Sequence, residues 1–181
     1  MDGTSAAERR GKSTLDRRLQ FQRGADETGS GNRSHHLTAA ALRVVRREIE
    51  QEILPFCMNE NIGVIVYSPM YAGLLTGAMT TERVAAFLPE DWRRNLPGFK
   101  EPVLSRNLRI VENLRGIGER HGRSPGEVAI AWTLNHPAVT GAIIGFRSAK
   151  QVAGIIGATD FRLNASELAE IENALKQENA I

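Results

Sequence analysis

Residues 63–77, Gly-Val-Ile-Val-Tyr-Ser-Pro-Met-Tyr-Ala-Gly-Leu-Leu-Thr-Gly, constrain the fold more than any other stretch of this chain. Val64, Ile65 and Val66 are β-branched and form an unbroken apolar run, the pattern of a strand covered on both faces in a parallel sheet. Pro69 offers no ladder donor and stops the strand. The loop beyond it carries Gly73 and Gly77, where the backbone can approach a ligand closely or take positive φ. In α/β folds, loops at the carboxyl ends of parallel strands are where ligands sit.

Length and composition narrow the class. At 181 residues the chain makes one domain with a respectable core, or part of a larger one. An apolar share of 41% and a charged share of 24% describe a soluble, globular protein. No apolar run approaches the roughly 20 residues that span a bilayer. Met1-Asp2-Gly3-Thr4-Ser5 lacks the apolar core of a secretory signal. The one cysteine, Cys57, cannot form an internal disulfide, and together these features favour the cytoplasm. A net charge of +2 is too small to point to a nucleic-acid partner, although the sequence pI is near 9.0.

Residues 1–40 are rich in Gly, Ser, Arg, Thr and Asp and show no sustained period of 2 or 3.6, so disorder is expected there. Arg9, Arg10, Arg17, Arg18 and Arg23 read as a solvated segment more readily than as an RNA-binding tail, because acidic residues are mixed in and aromatic interleaving is missing. His35 and His36 are adjacent, with no further ligand nearby, and do not make a metal site. A second unit, residues 41–181, carries the fold. From about Leu37 the spacing of Leu42, Val45, Ile49, Ile53 and Leu54 predicts a helix, with Pro55 marking a kink or a fresh start.

Beyond the glycine loop, residues 80–105 form an irregular excursion with a short helical piece around residues 82–88 and many turn formers. It reads as a functional lid or as a surface loop anchored by Trp92. Ser105 is the expected cap of the next helix, whose apolar stripe is Leu108, Val111, Leu114 and Ile117; Gly116 and Gly118 weaken it by about 1 kcal/mol each relative to alanine. Ser124-Pro125-Gly126-Glu127 is a capping box with proline in the first turn, and Val128, Ile130, Ala131, Trp132 and Leu134 predict a buried helix.

A second strand is expected over residues 139–144, followed by Gly145-Phe146-Arg147 and a second capping box, Ser148-Ala149-Lys150-Gln151. Amide donors at a helix start, a guanidinium and a hydroxyl suit a phosphate; a plain surface arginine beside a cap is the alternative. Asn164-Ala165-Ser166-Glu167 starts the last helix, with Leu168, Ile171 and Leu175 on its apolar side. Only two strands are evident, in an order of repeated βα units.

Several of these segments carry a resemblance. Arg46-Arg47-Glu48-Ile49-Glu50, Ile53-Leu54-Pro55-Phe56-Cys57, residues 63–77, residues 124–132, residues 141–148 and Gln151-Val152 resemble, in order and spacing, the C-terminal part of an aldo-keto reductase. That family consists of NADPH-dependent (β/α)8-barrel oxidoreductases. The resemblance covers about three quarters of the chain, from about Val44 to the end. It implies the C-terminal part of a TIM barrel, incomplete, in which the loop after one strand, Tyr67, Ser68, Pro69, Met70, Tyr71, Ala72 and Gly73, wraps a cofactor pyrophosphate and supplies an aromatic to the nicotinamide. It further implies that Gly145, Arg147, Ser148 and Gln151 hold the adenosine 2′-phosphate and adenine.

The family's proton donor is a tyrosine assisted by lysine, aspartate and histidine from the first half of the barrel. No catalytic residue is nominated here, since Tyr67 and Tyr71, the two tyrosines, both fall in the cofactor loop. Positions that touch adenine in the family hold Gly154 and Ile155, and a frequent lysine is Ala78. The resemblance thus implies an NADP-binding half-barrel of an enzyme that reduces small aldehydes or ketones. The alternative is a non-catalytic half-barrel that self-associates or pairs with another chain.

Overall fold

The computed structural model describes residues 37–179. Three strands, β1 (Leu37–Ala41), β2 (Gly63–Tyr67) and β3 (Val139–Ile143), make one parallel sheet in the order β1-β2-β3. Ala40 pairs with Val66 and Val66 with Ala142; Ala41 pairs with Tyr67 and Tyr67 with Ile143. A bulge between Val64 and Ile65 shifts the register with β3. Among the described residues six helices accompany the sheet: α1 (Ile53–Asn59), α2 (Thr81–Ala85), α3 (Val103–His121), α4 (Pro125–Leu134), α5 (Ala149–Ala153) and α6 (Ala165–Asn179).

The core lies between the sheet and its helices. Val64 and Val66 on β2 are fully buried there with Leu42, Val44 and Leu54, and the layer continues through Leu74, Leu75, Ile110, Leu114 and Ile117. Helix α4 runs through the middle. Its Ser124 hydroxyl accepts from the Glu127 amide at 3.2 Å while the Glu127 carboxylate accepts from the Ser124 amide at 2.8 Å, which satisfies two donors that a helix start leaves open. Every residue from Pro125 to Thr133 is buried.

Four expectations from sequence are corrected. Leu37–Ala41 is a strand, not the start of a helix, and it makes a third strand where two were expected. Its alanines favour helix intrinsically, and pairing along β2 overrides that weak preference. Strand β2 is buried on one face only: Val64 and Val66 are covered, whereas Tyr67 on the other face is 45% exposed. Ser105 does not cap α3; Pro102 occupies that position and the Glu101 carboxylate accepts from the Ser105 amide (3.1 Å) and hydroxyl (2.9 Å). At α5 the box is half formed, because the Gln151 side chain turns to the Arg147 amide rather than to that of Ser148.

The predicted start of the last helix holds, Asn164 pairing reciprocally with Glu167 at α6, and the short helical piece expected around residues 82–88 is α2, with Thr80 as its cap. The expected disorder of residues 1–40, the N-terminal arginines and the His35-His36 pair fall, for residues 1–36, outside the described residues.

Candidate functional site

Because the strands are parallel and adjacent, their carboxyl ends form one rim. Strand β2 delivers Tyr67 and Ser68 to it, both exposed, with Ser68 at φ 57. The chain then coils tightly through a 3-10 segment at Tyr71–Thr76 in which Tyr71 (φ 47), Ala72 (φ 54) and Gly73 (φ 91) are consecutively left-handed. Left-handed non-glycine residues cost on the order of 1 kcal/mol each and persist where surrounding contacts enforce them. Here the loop satisfies itself: the Tyr71 amide donates to the Ser68 carbonyl (3.0 Å), those of Gly73 and Leu75 donate to the Met70 carbonyl (both 3.1 Å), and the Thr76 hydroxyl donates to Gly73 (2.7 Å). Those three amides are therefore committed within the loop.

The seven loop residues separate by exposure. Tyr67 and Ser68 face solvent, Met70, Ala72 and Gly73 are half-buried, and Pro69 and Tyr71 are buried. Met70 packs toward the start of α4, where a Cβ on Gly126 would stand 3.3 Å from its sulfur. Tyr71 turns inward, with the guanidinium of Arg43 4.3 Å from its ring centroid on one side and Phe99 edge-on at 5.9 Å on another.

Strand β3 feeds the second half of the rim. Gly145, Phe146, Arg147 and Ser148 are all exposed, and Phe146 is 60% so. The Arg147 amide donates to Gln151 Oε1 at 2.6 Å and Ser148 Oγ accepts from the Gln151 amide at 3.3 Å, which holds the turn in shape. The Arg147 guanidinium itself makes no hydrogen bond or ion pair among the described residues, in contrast to Arg93, which forks onto Asp91 at 2.6–3.2 Å. The rim therefore offers an uncommitted cation. Since Tyr67 and Ile143 are paired across the ladder, the structure does bring the β2 loop and the Arg147 turn side by side.

The excursion lies close to this rim. Asp91 is held down to about 2, first by its hydrogen bonds from Arg93 and in smaller part by the positive field of Arg147. Trp92 is 59% exposed and is no anchor. Phe87 and Phe99 anchor the excursion instead, with ring centroids 5.8 Å apart and the Arg93 guanidinium 4.0 Å over Phe87. Among the described residues no three His, Cys, Asp or Glu side chains are grouped to hold a metal ion, and no helix is long and apolar enough to cross a membrane.

The sequence model of the aldo/keto reductase family matches residues 36–176, more than three quarters of the chain. This chain belongs to the aldo/keto reductase family. It is 30% identical over 143 residues to a probable aldo-keto reductase 1 of Glycine max, covering 78% of this chain and 40% of that protein. It is also 30% identical over 142 residues to the aldo-keto reductase YhdN of Bacillus subtilis (strain 168), covering 78% and 42%. The solved glycerol dehydrogenase of Gluconobacter oxydans superposes with a TM-score of 0.72 at 29% identity, over 78% of this chain and 42% of that one.

The chain thus spans about two fifths of the length of the relatives it matches. Its open three-stranded sheet is an incomplete (β/α)8 barrel. One rim residue of this aldo/keto reductase chain, Arg43, went unnoticed in the sequence. Reading residues 37–41 as a strand is the signal that puts it at a strand end.

Proposed function

We propose that this chain provides the NADPH-binding part of a carbonyl reductase. The observation that carries the reading is the exposed, uncommitted guanidinium of Arg147 at the end of β3, next along the rim from the exposed ring of Tyr67 at the end of β2. Donors of this kind fit a phosphorylated dinucleotide: a guanidinium pairs with phosphate through two parallel N–H bonds, and Ser148 Oγ stands beside it. Tyr67 offers an aromatic face for a nicotinamide ring. The half-buried backbone of Ala72 and Gly73 lies along the same loop. The burial of Pro69 and Tyr71 gives those two a supporting role beneath the site.

Tyr67, Arg147 and Ser148 would hold a reduced nicotinamide dinucleotide at this rim, and its chemistry there would be hydride donation to a carbonyl carbon. The chain's own residues, Tyr67, Arg147 and Ser148, bind and orient. Proton transfer to the resulting alkoxide needs a donor. Tyr71 is buried with its oxygen engaged by Gly98, and no lysine, aspartate and histidine surround Tyr67 among the described hydrogen bonds and ion pairs. The family's four-residue acid machinery is accordingly assigned to strands outside the described residues. Small aldehydes or ketones are the substrates, and a reducing compartment such as the cytoplasm suits the lone buried thiol of Cys57.

Fluorescence titration of the 181-residue protein with NADPH and NADH, beside Arg147→Ala, tests the reading. Saturable NADPH binding that weakens in the variant supports it. Equal binding of both nucleotides by both proteins, or none, sinks it.

A second reading is favoured by one observation. Leu37 (51% exposed), Tyr67 (45%) and Ile143 (55%) leave apolar surface on the uncovered side of the sheet. Two edges are also open among the described strands. Exposed edges and apolar faces promote pairing, and a second copy of this chain is the partner that needs no other gene product. Sedimentation equilibrium separates the two readings: a concentration-independent monomer excludes self-association.

A further inference from the structure

Arg43 lies two residues beyond the end of β1 and is only 7% exposed. Its Nε is buried with no hydrogen-bond partner. Among the described residues no carboxylate lies within ion-pair distance of it, whereas Arg47, Arg93, Arg109, Arg120 and Arg123 each hold at least one. Its guanidinium lies over the face of Tyr71, 4.3 Å from the ring centroid. The turn that carries it is fixed, the Arg43 amide donating to the Arg46 carbonyl at 3.2 Å and the Arg46 amide to the Arg43 carbonyl at 2.9 Å.

Removing a charge from water without a counter-charge is costly, and proteins seldom keep one so placed without a use for it. Burial draws the guanidinium below its ordinary range, partly offset by Tyr71, yet an arginine stays charged at neutral pH. The other groups acting on it are Arg46, Tyr67 and Glu48, and Glu48 is engaged at 3.0 Å by Arg46. Arg43 therefore stands over Tyr71, in the loop that follows Tyr67, with an orphaned Nε and, among the described residues, no anion within ion-pair distance.

We propose that Arg43 is a ligand-binding residue whose missing counter-charge is an anionic oxygen group of the molecule bound at this rim. The inference deepens the nucleotide reading above and rests on it for its setting. The group is phosphate or carboxylate, and two sources supply that chemistry: the pyrophosphate of the dinucleotide, or a carboxylate on the carbonyl substrate. A guanidinium fork serves either with two parallel bonds.

The test uses the full 181-residue chain as wild type, Arg43→Met and Arg43→Lys. Thermal melting without ligand is followed by calorimetric titration with NADPH, inorganic pyrophosphate and benzoate. Arg43→Met keeps the length and apolar body of the side chain, so it is expected to melt at or above the wild-type temperature. Its affinity for NADPH and pyrophosphate, or alternatively for benzoate, is expected to fall about tenfold or more, the usual loss of a charged hydrogen bond, with Arg43→Lys in between. Loss confined to pyrophosphate and NADPH assigns the cofactor, and loss confined to benzoate assigns the substrate.

A lower melting temperature in Arg43→Met with all affinities unchanged makes Arg43 a packing residue and overturns the proposal while the nucleotide reading stands. Arg43-dependent binding of pyrophosphate or benzoate without any NADPH binding keeps the proposal and removes that reading. Binding of none of the three by the wild type removes both.

Discussion

The phenol oxygen of Tyr71 accepts a hydrogen bond from the amide of Gly98 at 3.1 Å, across 27 residues of sequence. The Gly98 carbonyl in turn accepts from Asn107 Nδ2 on α3 at 3.2 Å, and Phe99 meets the Tyr71 ring edge-on. The loop after β2 is thereby fastened to the excursion and to α3 at one buried point. Whatever holds Tyr71 in its left-handed conformation also sets where the excursion begins its return to the core.

Gly98→Ala tests that fastening. A Cβ there would collide with the Tyr71 ring. Overpacking of this kind costs about 1–3 kcal/mol, so the variant is expected to melt at a lower temperature. Tyr71→Phe removes only the oxygen and leaves the buried Gly98 amide unpaired, a loss of about 1–3 kcal/mol with the ring packing intact. Chemical denaturation of the two variants checks both; a stability equal to wild type in either means the bond carries no weight.

Two glycines in α3 are expected to respond in opposite directions to the same substitution. Gly116 has open space where a Cβ would be, so Gly116→Ala gains the helix preference of alanine and stabilises by about 0.5–1 kcal/mol. At Gly118 a Cβ would run into the Arg123 carbonyl oxygen, at the point where the Arg123 amide donates back to Gly118 at 2.8 Å. Close approach wins over propensity there, and Gly118→Ala is expected to destabilise by about 1 kcal/mol or more. Parallel urea melts give the sign of each.

Acid should unfold this chain partly through Glu167. Burial raises that carboxyl, but the Asn164 amide, the His121 ring at 2.6 Å and Arg120 outweigh it, leaving it below the ordinary carboxylate range. A carboxyl depressed in the folded state contributes stability above its unfolded pKa of about 4.3 and loses it as pH falls through the folded value. Glu167→Gln is therefore expected to cost about 1–3 kcal/mol near pH 7 and to lose less than wild type on acidification. Urea midpoints between neutral and acid pH decide it: parallel curves for the two proteins would remove Glu167 from the acid limb.

Much of this arrangement was legible in the sequence because it is local. Ser124 with Glu127 and Asn164 with Glu167 are three residues apart, and both boxes form as read. The β2 run and its loop were equally plain, and the family resemblance supplied the barrel. What escaped depends on partners distant in the chain. Leu37–Ala41 becomes a strand only by lying along β2, which is also why Arg43, two residues beyond it, escaped notice as a rim residue. Strand β2 carries the composition of a two-sided strand, yet among the described residues only its Val64 and Val66 side is covered. The resemblance implied Tyr71 as a cofactor contact, and its burial in the left-handed turn is a feature that the sequence did not reveal.

The rim's two uncommitted arginines differ in burial, and salt should tell them apart. Arg147 is exposed, so its attraction for a phosphate is felt through water and is screened as the Debye length shrinks from about 30 Å at 0.01 M to about 8 Å at 0.15 M. Arg43 is shielded by protein and screened far less. NADPH affinity is accordingly expected to weaken severalfold across that range in the wild type. Arg147→Ala should bind more weakly at low salt and lose most of the salt dependence, its remaining affinity resting on groups the solvent ions do not reach. Nucleotide fluorescence titrations at the two ionic strengths measure this. A salt slope that Arg147→Ala leaves untouched would place the phosphate-binding charge elsewhere on the rim.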